Sequence, residues 1–179
     1  IPCNMLSLLK IGDRKLEWLQ IIRSNDLFLG VPYNFVQFTC LQEIMAGWLG
    51  IDCGSYHQIS DSLHIYERDE INVLKSSSLN DLPKNMDLLA SPKEKSEWAF
   101  KEIEQRIYRM IAPELRFREL QIISGWEEGP EAFRNMLAVL VAEVARRHKW
   151  LGLSEQAFSV CTNPVFKKLW DRWRIRTVA

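Results

Sequence analysis

Residues 5–11, Met5-Leu6-Ser7-Leu8-Leu9-Lys10-Ile11, form a short apolar run that stops at the turn signal Gly12-Asp13. From Lys15 to Ile22 the pattern alternates, with Leu16, Trp18 and Ile22 on one side and Lys15 and Glu17 on the other. Two strands joined by a tight turn follow from this period. Between residues 31 and 49 the period changes. Pro32 stands near the start, and Phe35, Phe38, Leu41, Ile44, Met45 and Trp48 recur at steps of three and four, as on one face of a helix that Gly50 stops. Residues 51–66 mix polar and apolar positions and end in Leu63-His64-Ile65-Tyr66, which predicts another strand. Residues 76–92 are rich in Ser, Asn, Asp and Pro and read as a linker.

The second half is helical in pattern. Ser91-Pro92-Lys93-Glu94 combines an N-cap residue, a first-turn proline and a capping-box glutamate, followed by Phe100, Ile103, Ile107, Met110 and Ile111 at helical spacing. Pro113 ends that helix, and residues 114–123 predict a short one. Gly129-Pro130 opens another, with Phe133, Met136, Leu137, Leu140 and Val144 inward. Asn163-Pro164 begins a basic, Trp-rich tail in which Phe166, Leu169, Trp170 and Trp173 form one stripe. That stripe reads as an amphipathic helix docked on the body, or as a surface for nucleic acid or a partner. The fold class is therefore α+β, with a sheet-and-helix core at 1–90 and an α-helical extension at 91–179.

Composition narrows the function classes. The 179 residues include seven Trp and eight Phe, enough for a packed core. Basic and acidic residues balance at 23 each, which argues against nucleic acid bound over the whole surface. No apolar run approaches a membrane span. Residues 1–90 carry 7 basic and 11 acidic side chains, whereas 91–179 carry 16 and 12, a change of sign near the midpoint. Cys3, Cys40, Cys53 and Cys161 form no C-x-x-C pair and, with three histidines, no zinc spacing, so no metal is expected. A reduced cytoplasmic protein with mostly buried thiols is the expectation. The chain opens Ile1-Pro2-Cys3 without an initiator Met, like the interior of a longer protein.

Taken singly, the polar residues of the first half have ordinary readings. Cys3 is a small hydrophobe, Arg23 and Asp26 an ion pair, Asn34 a helix cap, and His64 and Tyr66 one face of a strand. Taken together, Pro2-Cys3, Arg23-Ser24 with Asp26, Phe28-Leu29-Gly30-Val31-Pro32-Tyr33-Asn34 and His64-Ile65-Tyr66 resemble the thymidylate synthase family in order and spacing. Arg23, Asn34 and His64 lie 20, 31 and 61 residues after Cys3. The resemblance covers residues 1–75.

The resemblance implies that Cys3 adds to C6 of a pyrimidine nucleotide, and that the resulting enolate takes a one-carbon unit from 5,10-methylenetetrahydrofolate. It implies that Arg23 polarises that thiol and grips the nucleotide phosphate with Ser24. Asn34 would read uracil, because an amide can serve both N3–H and O4. His64 and Tyr66 would hold the deoxyribose hydroxyl, Asp26 would orient the folate pterin, and Gly30 would let that ring approach the backbone. The implied reaction is methylation of dUMP by a cytoplasmic homodimer. The alternatives are hydroxymethylation of dUMP or a related pyrimidine nucleotide, and a non-catalytic nucleotide-binding module on the same fold. Departures stand at Asn4, where the family has His, at Ile22, where it has Gln, and at Asp61-Ser62, where it has Gly-Asp. Further family groups on the phosphate and the folate would lie before Ile1, so the chain alone is expected to be inactive. Residues 91–179 do not resemble the family's ending.

Overall fold

A computed structural model describes residues 3–74, 83–85 and 87–178, which form two compact units. The first holds residues 1–79 with 89–93, and the second holds 80–88 with 94–179.

The first unit contains β1 (Asn4–Gly12), β2 (Lys15–Asp26), α1 (Gly30–Leu49), β3 (Asp52–His64) and α2 (Glu67–Leu74). The β1–β2 turn is the expected tight one. Asp13 and Arg14 take φ of 50° and 58°, the doubly left-handed pair that matches the twist of an antiparallel hairpin. The sheet order is β1-β2-β3, with β1 antiparallel and β3 parallel to β2. A parallel neighbour requires a crossover, and α1 supplies it.

Alternation along β2 buries Leu16, Trp18, Gln20 and Ile22. Trp18 and Ile22 pack with Phe38 of α1, and Met45 and Tyr56 close that cluster. The rings of Trp18 and Phe38 lie 5.8 Å apart at 52°, and Phe38 stacks on Tyr56 at 6.4 Å. Such pairs add about 0.5–1.5 kcal/mol each to the area they bury. Burial pushes the Tyr56 hydroxyl up to about 12, and it donates to Gln58 at 2.8 Å.

The apolar stripe expected from spacing is only partly the buried face: Phe38, Ile44 and Met45 pack inward as expected. Phe38, Gln42, Ile44 and Ala46 are buried, whereas Phe35, Leu41 and Trp48 are exposed. Gln42 lies beside a register shift between Leu16 and Trp18 of the β2–β3 pair. The Gln42 amide donates to Leu16 at 2.6 Å and to Gly54 and Ser55 at 3.3 Å, so a polar residue takes a core position. Gly50 ends α1 in the left-handed conformation, at φ 65°. Along β1, Met5, Leu6, Leu8, Leu9 and Ile11 are exposed.

The second unit contains α3 (Lys93–Met110, whose first residue belongs to the first unit), α4 (Phe117–Ser124), α5 (Glu131–Arg147), α6 (Leu151–Ser159) and α7 (Pro164–Val178). The Ser91 cap expected for α3 does not form. Ser91 Oγ is buried without a hydrogen-bond partner among the described residues. Asn163 does cap α7, accepting from Val165 and Phe166 at 2.9 and 3.0 Å. Leu140 faces outward, and Asn135, with Ala138, Val141 and Ala142, takes the inward positions of α5. Asn135 holds the α6–α7 connection through Thr162 and reaches Asp87 at 2.7 Å. In the tail stripe Trp170 is buried against Phe158, with ring centres 5.0 Å apart, while Leu169 and Trp173 are exposed.

The linker expected at 76–92 lies partly outside the described residues; 83–85 and 87–92 carry neither helix nor strand. Buried thiols are not the rule: Cys161 is buried, Cys40 is half-buried, and Cys3 and Cys53 are exposed. Among the described residues no helix is long and apolar enough to cross a membrane, and no group of three or more His, Cys, Asp or Glu could hold a metal ion.

Candidate active site

Four chain segments meet at one end of the first unit's sheet. They are the start of β1, the carboxyl ends of the parallel strands β2 and β3, and the first turn of α1. The end of parallel strands is where open sheets commonly bind ligands.

The Arg23 N–H donates to the Cys3 carbonyl at 3.0 Å, which continues the pairing of Asn4 with Ile22. Residues opposite one another in an antiparallel pair present their side chains to the same face. Cys3 and Arg23, 20 residues apart in sequence, are thereby neighbours, and both are exposed. Ser24 pairs with Ser62, Asn25 with Leu63, and Asp26 with His64 along the parallel ladder, and Leu27 N–H donates to His64 O at 2.8 Å.

Asp26 turns the chain from strand to helix. Its carboxylate accepts N–H bonds from Phe28 at 3.1 Å, Leu29 at 2.9 Å and Gly30 at 3.4 Å. The Leu29 N–H, then that of Phe28, hold this carboxyl below the usual Asp range, so it stays ionised at the mouth of the site. Leu27 and Leu29 are exposed beside it.

Asn34 lies inside the first turns of α1 and does not cap it. Its Nδ2 donates to Asn25 Oδ1 at 3.0 Å, and Asn25 Nδ2 donates to Ser60 Oγ at 3.1 Å. Asn25 is 3% exposed. Gly30 leaves room for this chain, since a Cβ there would overlap Asn25 Oδ1 and touch Asp26 Cβ at 3.4 Å. The glycine thus serves Asn25 from within. Sequence reasoning passed over Asn25 and Ser60. The available signal was a second amide beside Asp26 at a strand end that faces Gly30.

His64 and Tyr66 meet edge to face with ring centres 5.1 Å apart, and the Arg68 guanidinium lies over the Tyr66 ring at 5.1 Å. Tyr66 follows the end of β3 rather than lying within it. At Ile22, where the resemblance expects an amide, the side chain is fully buried in the Trp18–Phe38 cluster. Gln20 does not replace that amide, because its Oε1 accepts from Ser7 at 2.5 Å and Trp18 at 3.3 Å.

Known proteins share this segment. The deoxyuridylate hydroxymethyltransferase of Bacillus phage SP01 is 48% identical over 69 residues, which are 38% of this chain and 18% of that protein. The thymidylate synthase of Leuconostoc mesenteroides is 36% identical over 85 residues, 46% of this chain and 26% of that protein. The thymidylate synthase of Francisella philomiragia is 28% identical over 110 residues, 60% of this chain and 40% of that protein. Among solved structures, thermostable thymidylate synthase A from Bacillus subtilis aligns with a TM-score of 0.40 and 32% identity, over 41% of this chain and 26% of that one. The chain thus spans between 18% and 40% of the length of these curated relatives. The sequence profile of thymidylate synthase matches residues 1–117, beyond the 75 whose motifs are legible by eye and more than half of the chain, and the chain belongs to the thymidylate synthase family.

Proposed function

We propose that the full-length protein transfers a one-carbon unit to C5 of dUMP, with residues 1–90 forming the later part of its catalytic core and 91–179 an α-helical extension. The observation that carries this reading is the convergence of Cys3, Arg23, Asp26 and Asn34 at one end of the sheet.

In this reading the Cys3 thiolate adds to C6 of the pyrimidine, and the electron pair of the C5–C6 bond moves to C5 and O4. Arg23, its cross-strand neighbour, supplies a fixed positive charge to the thiolate and to the nucleotide phosphate, where Ser24 adds a hydroxyl. Asn34 hydrogen-bonds the uracil edge, and His64 and Tyr66 hold the sugar hydroxyl. The Asp26 carboxylate binds N–H groups of the folate, with Leu27 and Leu29 against its ring. When bound, 5,10-methylenetetrahydrofolate would supply the one-carbon unit and, for a methyl product, also the hydride that completes it, so that the folate leaves as dihydrofolate. The C5 proton then leaves to solvent, and Cys3 is expelled as the C5–C6 double bond re-forms.

A second reading, hydroxymethylation, is favoured by the 48% identity to the phage deoxyuridylate hydroxymethyltransferase. It differs in its last step, where water rather than hydride completes the new group. The exposed apolar residues of β1 support a homodimer that covers them. The free cysteines suit the cytoplasm.

Release of tritium from C5-labelled dUMP by the full-length protein with the folate tests the reading, and the product's mass separates methyl from hydroxymethyl. Nucleotide binding without tritium release would mean a binding module rather than an enzyme.

A further inference from the structure

We propose that Asn25 is a positioning residue that fixes the orientation of the Asn34 amide and thereby sets the choice between uracil and cytosine; this rests on Asn34 reading the base. Asn25 Nδ2 donates to Ser60 Oγ at 3.1 Å, and its Oδ1 faces Asn34. Asn34 Nδ2 donates to that oxygen at 3.0 Å. One Nδ2–H and the Oδ1 of Asn34 remain for a ligand.

Uracil offers a donor at N3 and an acceptor at O4, which match those two groups. Cytosine offers an acceptor at N3 and a donor at its 4-amino group, so Asn34 would have to turn over. That turn sets Asn34 Oδ1 against Asn25 Oδ1, two acceptors without a proton between them. Relief requires Asn25 to turn as well and Ser60 to become the donor, so three groups must move together. Asn25 is 3% exposed, and water cannot readily fill the gap. It is also backed closely by Gly30, whose position has no space for a Cβ. The amide is therefore held from behind by a chain that starts on β3, passes through β2 and ends on α1.

The test is binding of dUMP and dCMP to the full-length protein and three variants, with circular dichroism to check the fold. In Asn25→Ala, Asn34 turns freely, and the dUMP-to-dCMP affinity ratio falls about tenfold or more. Asn25→Asp keeps an acceptor towards Asn34 and takes a proton from Ser60, so the wild-type ratio is retained. Ser60→Ala is the milder change, serving if Asn25→Ala does not fold, and it also lowers the ratio. An unchanged ratio in the folded alanine variants, with affinity for both nucleotides lost in parallel, overturns the proposal and leaves the functional reading standing. A wild-type protein that binds neither nucleotide, or both equally, overturns the reading of Asn34 and this proposal with it.

Discussion

Replacing Gly30 with alanine probes the join between the fold and the site. Gly30 does not adopt a positive φ, so alanine brings no backbone strain. The added Cβ overlaps Asn25 Oδ1 and lies 3.4 Å from Asp26 Cβ. Asn25 is a side chain and could move, but it is buried and held by two hydrogen bonds, at 3.0 and 3.1 Å. Moving it breaks both. Each is worth about 0.5–1.5 kcal/mol, so Gly30→Ala should destabilise the first unit by about 1–3 kcal/mol. The damage should be local, because the Trp18–Ile22–Phe38 cluster is untouched. Hydrogen exchange read by mass spectrometry, with peptides from β2, the first turns of α1 and β3, resolves the location. Faster exchange confined to the ends of β2 and β3 and the start of α1, together with weaker dUMP binding, is expected. Unchanged exchange and binding would refute the reasoning, because Asn25 would then have other room to occupy.

Three further outcomes follow. Asn34→Asp should shift preference from dUMP towards dCMP, because a protonated carboxyl can donate to N3 while its carbonyl accepts from the 4-amino group; side-by-side binding checks it. Glu143 accepts from Arg146 at 2.8 Å, from Arg147 at 2.8 Å and from Trp173 at 3.2 Å, and chiefly Arg146 holds its carboxyl down at about 2 against an ordinary 4.5. The folded value is depressed, so this stability is present above pH 4.5 and is lost as pH falls towards 2. It is worth at most about 3 kcal/mol, because Arg147 is exposed and screened. Glu143→Gln should remove it at pH 7 and flatten the acid limb in urea unfolding. Residues 1–179 on their own, which span at most 40% of the compared relatives, should release no tritium from dUMP at a rate comparable to the full-length protein.

Local chemistry made parts of the fold legible. The Gly50 stop is set by a dihedral preference that the residue carries with it, and Pro32 falls in the first turn of α1 as expected, whereas the β1–β2 turn places its positive φ on Asp13 and Arg14 rather than on Gly12. The α1 core face was legible only in part: Phe38, Ile44 and Met45 follow the helical period, whereas Gln42 is buried by its hydrogen bonds to strand carbonyls, which no apolar periodicity contains. The same holds for Ser91, whose capping motif is present in sequence but whose hydroxyl is buried instead. Within the site, the motif segments named Cys3, Arg23, Asp26, Asn34 and His64, and the strand register shows how residues so far apart in sequence meet. Asn25 escaped notice because its importance lies in contact with Gly30, Asn34 and Ser60, three partners on two other elements. Ile22 shows the opposite case. Its departure from the family's amide is visible in the sequence, and the structure shows what the side chain does instead: it completes an apolar cluster.

The most direct measurement is tritium release from C5-labelled dUMP by the full-length protein and its Cys3→Ser variant, side by side, with circular dichroism of both. Cys3 is exposed, so serine there should leave the fold intact. If Cys3 forms the bond to C6, the variant loses turnover by about a thousandfold or more, with dUMP binding retained through Arg23 and Asn34. A folded Cys3→Ser protein that turns over within tenfold of wild type would contradict the account.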